Sequence, residues 1–232
     1  MLCERGGGWR RWFAVMCAMA ELWPSARVVV RAMRPHHWVK NLLVFVPVLA
    51  AHRWDEPDLW LSACLAFCAF CFCSSAIYLT TDLLDVKDDR AHPIKRLRPV
   101  ASGQMRPNLA LALAALLAAT GLALAAAGGT TFMLLVYCLG SLAYSAWLKT
   151  LPGVDVLTLV ALYAIRLLAG GDATGIAVSG WLLAFGSCIF TSLALAKRAS
   201  ELYGVANGAL PAPQRRGYRV SDGRLLSVLG LL

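Results

Sequence analysis

Leu59–Thr81 reads LWLSACLAFCAFCFCSSAIYLTT, 23 residues without a charge, bounded by Asp58 and Asp82. A bilayer core about 30 Å thick takes ~20 apolar residues per helix, so this stretch is long enough to cross one. Working outward, Pro107–Leu148 gives 42 uncharged residues, too long for one helix, with Gly128-Gly129 near its middle. Glycine releases a helix into a turn, so two spans are predicted there, 107–127 and 130–148. Ala173–Ala196 adds another 24 uncharged residues. Two weaker candidates are Arg34–Ala51, basic at its start, and Gly153–Gly171, which carries Asp155 and Arg166. Six spans are therefore predicted. Leu225–Leu232 is apolar but only eight residues long. It reads as the start of a seventh helix, and the bundle as C-terminally truncated.

Composition agrees with this reading. The 232 residues are 59% apolar and 15% charged, with a mean hydropathy of +0.63, against ~45–50% and ~25% in soluble domains. An ordinary cytosolic enzyme and a disordered chain are both excluded. No nucleic-acid partner is expected despite the net charge of +9, because no basic stripe sits on a polar domain. The charge follows topology instead. With the N-terminus inside, the inner side holds the basic residues of the N-terminal segment up to Lys40, of the 82–106 loop, Lys149, and of the 197–224 segment. That is 20 of the 22 Lys and Arg, with Arg53 outside and Arg166 within a span. Such a bias is the positive-inside rule. The fold class that follows is an all-α polytopic membrane bundle of six spans plus the start of a seventh. It lies in the inner or plasma membrane, among membrane lipids, with its N-terminus and the Asp-rich loop cytoplasmic.

Residues 1–33 read as a basic, interfacial N-terminal segment ahead of a transmembrane domain over 34–232. Arg10-Arg11 followed by Trp12–Ala20 has the charged and apolar regions of a signal peptide. Cleavage would leave Arg27, Arg31, Arg34 and Lys40 outside, against the charge bias, so an interfacial helix or a start at Met33 is preferred. Of the eight cysteines, Cys64, Cys68, Cys71 and Cys73 lie inside the second span, and Cys68-x-x-Cys71 is the only CxxC. No His accompanies them, and thiols in such a helix behave as small apolar residues. Packing is therefore preferred to a metal role. The chain has no repeats, no P-loop and no dinucleotide fingerprint.

Chemistry concentrates in the loop leaving the second span. Asp82, Asp85 and Asp89 stand at i, i+3 and i+7, so a continued helix presents them on one stripe. Three like charges there repel unless a doubly positive ion sits among them. Mg2+ takes a few carboxylates, keeps water and completes its octahedron with substrate phosphate oxygens. Lys95, Arg96 and Arg98 follow directly, donors suited to phosphate. Acid then base at a span end points to a Mg2+–diphosphate site; the alternative is a solvated loop whose acids offset its bases.

The segment Asp82–Gly103, DLLDVKDDRAHPIKRLRPVASG, resembles the first Asp-rich motif of the UbiA superfamily of membrane prenyltransferases. Arg34-Pro35-His36-His37-Trp38-Val39-Lys40-Asn41 resembles the opening motif of one branch, the decaprenyl-phosphate phosphoribosyltransferase-like proteins. Tyr144-Ser145 with Lys149, Asp155 with Arg166, and Lys197-Arg198 with Glu201 are similar to that branch too. The resemblance runs from about Arg34 to the end of the chain. It implies a helical bundle of about nine spans with a cavity open to the cytoplasmic face. Thr81 stands where the family usually has Asn; its hydroxyl still accepts or ligates, which implies weakening rather than loss. Asp155 falls where the second acidic motif lies, although the usual second Asp-x-x-x-Asp is absent.

The remaining residues are weighed by position. Asp155 and Arg166 are about 20° from the same helical face, and an intramembrane Arg is costly enough to require an interior partner. The alternative is a helix-packing ion pair, although the two lie too far apart to pair with each other. Lys197 and Glu201 are i, i+4 at a helix end, where the alternative is a surface pair. Arg34 and Lys40 have an alternative role as headgroup anchors.

The resemblance implies a transferase in which Asp82, Asp85 and Asp89 hold Mg2+ on a diphosphate-bearing donor. Lys95, Arg98, Lys197 and Lys40 stabilise the leaving pyrophosphate. Asp155 joins the catalytic set, and Arg34, Asn41, Tyr144, Lys149 and Arg166 join the substrate contacts. The branch favours transfer of a phosphoribosyl group from phosphoribosyl diphosphate to a polyprenyl lipid phosphate. The rival is prenylation of an aromatic acid or quinone precursor, which requires Asp155 in a second metal site. A rival of another class is a truncated, non-catalytic protein that binds lipid phosphate.

Overall fold

A computed structural model describes residues 25–207 together with Gly223, Ser227, Val228 and Gly230. The signal-peptide-like stretch of residues 10–20 lies outside the described residues, as does most of the expected seventh helix. The regular elements among the described residues are all helices, in agreement with the expected class. Helix α1 (Ala26–Met33) is short and amphipathic. Val28, Val29, Ala32 and Met33 pack inward, while Arg27 and Arg31 stay exposed. Pro35 disfavours α-helical backbone at the residue before it, and Arg34 adopts the left-handed region at φ 53°, ψ 58°.

The expected first span, Arg34–Ala51, is not one α-helix. An eleven-residue 3₁₀ segment, Pro35–Phe45, runs into the short helix α2 (Val46–Ala50). Runs of 3₁₀ longer than about four residues are uncommon and mark strain or function. Helix α3 (Pro57–Leu84) follows, opened by Pro57 at its first position and Asp58 in its first turn. Its 28 residues rise about 42 Å, more than the bilayer core. The short helix α4 (Val86–Ala91) and a 3₁₀ turn at Lys95–Leu97 fill the connecting loop.

Helix α5 (Pro107–Ala127) and helix α6 (Thr131–Ala146) are separated where expected, at Gly128-Gly129, with Gly129 at φ 72°. Helix α7 (Val154–Thr174) and helix α8 (Gly180–Ala206) follow, and Ser179 Oγ caps α8 by accepting from Leu182 N at 3.2 Å. Among the described residues four helices, α3, α5, α7 and α8, are long and apolar enough to cross a membrane; α6 is shorter at 16 residues.

In lipid, helices associate through small residues that allow close approach rather than through hydrophobicity. Helix α5 offers such a stripe, with Ala110, Ala114, Gly121 and Ala125 buried. A Cβ at Gly121 would lie 2.6 Å from Cys73 Sγ and 3.0 Å from Ala69 O on α3. The six described cysteines are all free, and Cys71 and Cys73 are buried core residues. The central core joins the 3₁₀ segment to four helices through Val44, Phe70, Ala125, Leu134, Tyr137 and Leu162. At Gly170 the fit is closer still, since a Cβ there would come within 2.1 Å of Val44 O. Helix α7 thereby fixes the height at which Lys40 and Asn41 sit. Large apolar side chains such as Leu116, Phe132 and Trp181 face outward, toward where lipid would be.

Candidate active site

Asp82 sits in the last turn of α3, 3% exposed. A carboxylate there is desolvated and meets the negative end of the helix dipole. Two arginines offset both costs. Arg34 Nη2 donates to both oxygens at 2.6 and 2.7 Å. Arg98 Nη1 donates to Asp82 Oδ1 at 3.1 Å and to Asp89 Oδ2 at 2.6 Å. The left-handed backbone at Arg34 belongs to this arrangement, because sparsely populated backbone is retained where the surroundings over-determine it.

The expected continuous stripe of three carboxylates is broken. Helix α3 stops at Leu84, Asp85 takes φ −92°, ψ 9°, and α4 restarts at Val86. Asp82 and Asp85 line a cavity of about 380 Å³, whereas Asp89 is buried behind Arg98 and does not. The Arg98 guanidinium thus bridges the first and third carboxylates of the motif. Among the described residues no three His, Cys, Asp or Glu side chains converge as a ready-made metal cage. The donor set still fits Mg2+, which is held through one or two carboxylates and completed by water and phosphate. Asp85 faces the cavity, and Asp82 faces it beside Lys95 and Arg98.

Ten of the sequence-derived site residues line this one cavity: Arg34, Lys40, Asp82, Asp85, Lys95, Arg98, Tyr144, Lys149, Arg166 and Lys197. Three stand behind its wall. Asp89 holds Arg98, Asn41 Oδ1 accepts from Arg166 Nε at 2.8 Å, and Asp155 Oδ2 accepts from Arg198 Nε at 2.7 Å. Asp155 is fully buried, and Arg198 also donates to Tyr144 Oη and Glu201 Oε2, both at 2.8 Å. The interior partner expected of Arg166 is therefore Asn41 and Tyr137, while Asp155 pairs with α8. Thr81 lines the cavity, and its hydroxyl donates to Tyr78 O at 3.0 Å.

The sequence reading missed His37, Tyr78, Tyr137, Ser141 and Tyr163, and Arg198 was matched without a site role; all six line the cavity. One signal was present. Tyr137, Ser141 and Tyr144 stand at i, i+4 and i+7, a polar stripe on the otherwise apolar α6. His37 was visible only as part of a motif, and its ring contact with Tyr78 at 4.9 Å joins residues far apart in the chain.

A profile of the UbiA prenyltransferase family matches residues 42–206. The chain is 37% identical over 203 residues to the nodulation protein NoeC of Azorhizobium caulinodans, covering 85% of this chain and 65% of that protein. It is 39% identical over 184 residues to a decaprenyl-phosphate phosphoribosyltransferase of Mycobacterium tuberculosis, covering 75% of this chain and 60% of that protein. The chain thus spans 60–65% of the length of these curated relatives. The fold is similar to a solved UbiA homolog from Archaeoglobus fulgidus bound to DMAPP and Mg2+. Its TM-score is 0.68 at 19% identity, over 86% of this chain and 73% of that one.

Proposed function

The chain belongs to the UbiA prenyltransferase family, and on that premise we propose that it transfers a phosphoribosyl group from phosphoribosyl diphosphate to a polyprenyl phosphate, with Mg2+ and release of pyrophosphate. The observation that carries this reading is the cavity wall where Asp82 and Asp85 stand beside Arg34, Lys95 and Arg98. Carboxylates for a hard cation and donors for phosphate oxygens meet at the end of α3. The decaprenyl-phosphate phosphoribosyltransferases among the relatives, at 38–39% identity, favour the phosphoribosyl donor.

Asp82 and Asp85 are the carboxylates that would hold Mg2+. The bound ion supplies neutralisation of the diphosphate charge. Lys95 and Arg98 donate to the diphosphate oxygens and stabilise the charge that grows on them as the C1–O bond breaks. Arg34 and Arg98 hold the Asp82 carboxylate in place. The bond's electron pair leaves with pyrophosphate. A phosphate oxygen of the lipid then forms the new bond to C1, and the apolar wall (Ile77, Leu159, Leu162) excludes water from the cation-like carbon. In this reading the Asp-rich loop faces the cytoplasm, as the distribution of Lys and Arg indicates.

Prenyl transfer to an aromatic acid is less well supported. It draws on a second metal site at Asp155, which is buried against Arg198 and is not among the residues that line the cavity. The test uses the purified chain in detergent with Mg2+, polyprenyl phosphate and labelled phosphoribosyl diphosphate. Lipid-extractable label is expected, and it is lost in the Asp82→Ala/Asp85→Ala variant. Turnover of a prenyl diphosphate with an aromatic acid, and none of phosphoribosyl diphosphate, would overturn the reading. Silence with both donors would leave a lipid-phosphate-binding protein.

A further inference from the structure

The cavity has two differently charged ends. At the end where α3 stops, four acids are matched to bases, Asp82 to Arg34 and Arg98, Asp89 to Arg98, and Asp155 and Glu201 to Arg198, while Asp85 lines the cavity. Deeper in the bundle the balance fails. Arg166 is 7% exposed and donates only to neutral acceptors: Asn41 Oδ1 at 2.8 Å, Leu162 O at 2.6 Å and Tyr137 Oη at 3.1 Å. Two of its five N–H donors are not spent on those bonds. Lys40 places its ammonium 5.9 Å from the Tyr163 ring centre, and Arg166 places its guanidinium 5.5 Å from the same centre. Among the described residues no carboxylate pairs with either cation.

Both cations lie well inside the fold. Arg166 is twelve residues into α7, about 18 Å along its axis at 1.5 Å per residue. Lys40 is six residues past Arg34, about 12 Å at the ~2 Å rise of a 3₁₀ segment. Two positive groups sharing one ring in a low-dielectric interior repel each other and are costly without a counter-ion. A cation-like prenyl carbon would add to that repulsion. An anion would relieve it, and a phosphate monoester carries close to two negative charges where a carboxylate carries one. The planar guanidinium suits phosphate geometry, and Asn41 and Tyr137 already fix its orientation.

We infer that Lys40 and Arg166 form a second anion subsite, distinct from the diphosphate end, that takes a phosphate monoester. The inference rests on the phosphoribosyl-transfer reading and deepens it. Both substrates of that reaction carry such a group, the donor on its sugar and the acceptor on its lipid.

Binding to the full chain in detergent tests it, with ribose 5-phosphate, farnesyl monophosphate, benzoate and magnesium pyrophosphate as separate probes. Lys40→Met keeps the apolar stem and removes the charge. It is expected to weaken one phosphomonoester by about tenfold, the loss of one charge-assisted contact, while magnesium pyrophosphate changes by less than about twofold. Lys40→Arg restores most of the loss, and Arg98→Gln shows the opposite selectivity. Loss confined to ribose 5-phosphate assigns the subsite to the donor; loss confined to farnesyl phosphate assigns it to the acceptor. Equal weakening of pyrophosphate overturns the inference. So does a wild-type chain that binds neither monoester, or Lys40-dependent binding of benzoate alone. If Lys40-dependent monoester binding holds while phosphoribosyl diphosphate is not turned over, the transfer reading fails and the subsite stands. Turnover with Lys40-independent monoester binding gives the converse.

Discussion

At the scale of single residues, the three carboxylates of the Asp-rich motif have three different jobs. Asp82 is buried and doubly paired, Asp85 faces the cavity, and Asp89 anchors Arg98 from behind. Asp85→Asn should therefore lower Mg2+-dependent transfer most, by roughly a thousandfold, as expected for loss of charge stabilisation at the reacting group. Asp89→Asn should cost about 10- to 100-fold, the usual range for a group that orients another. Rates measured across a Mg2+ titration check both values. Asp155→Asn should behave differently again. Breaking its 2.7 Å pair with Arg198 should destabilise the chain by about 3–5 kcal/mol, read by thermal unfolding, and leave the Mg2+ concentration at half-maximal rate unchanged. The Asp82–Gly103 segment was legible because acid and base follow one another in sequence. What was hidden is that Arg34 and Arg98, 48 and 16 residues away from Asp82, already neutralise two of the three acids. Sequence spacing on a continued helix does not register such partners, nor the helix break at Asp85.

At the scale of elements, α7 and the 3₁₀ segment are held in register by one missing side chain. Gly170→Ala would drive a methyl into Val44 O, and overpacking of this kind costs about 1–3 kcal/mol. Because Lys40 and Asn41 precede Val44 on the same segment, the substitution should also raise the KM for substrate more than it lowers kcat. Thermal unfolding and steady-state kinetics on one preparation separate the two effects. Gly121→Ala is the control: it crowds Cys73 and Ala69 between α3 and α5, lowering stability with little change in KM. The boundary at Gly128-Gly129 was readable because a local turn signal decides it. The 3₁₀ stretch was not, because hydropathy counts apolar residues and is blind to rise per residue. Tertiary contact with α7 decides the conformation there.

At the scale of the whole molecule, charge and hydropathy indicated an all-helical membrane bundle, and among the described residues four helices meet the length and apolarity that crossing requires. The twenty Lys and Arg assigned to one side make a prediction about orientation. In inverted and right-side-out vesicles, a cysteine at Ser102 should react with an impermeant reagent only from the cytoplasmic face, and one at Gly129 only from the opposite face. The cavity, by contrast, was legible as a list of residues but not as a shape. Its two-ended charge distribution arises only when α3, α6, α7, α8 and the 3₁₀ segment converge. The most direct measurement of the central claim is a single reaction with phosphoribosyl diphosphate labelled on both the ribose and the diphosphate. Ribose label should enter the polyprenyl phosphate fraction in equal amount to the pyrophosphate released, and Asp85→Asn should lower both by the same roughly thousandfold factor. Pyrophosphate release without label in the lipid, or transfer that survives Asp85→Asn unchanged, would contradict it.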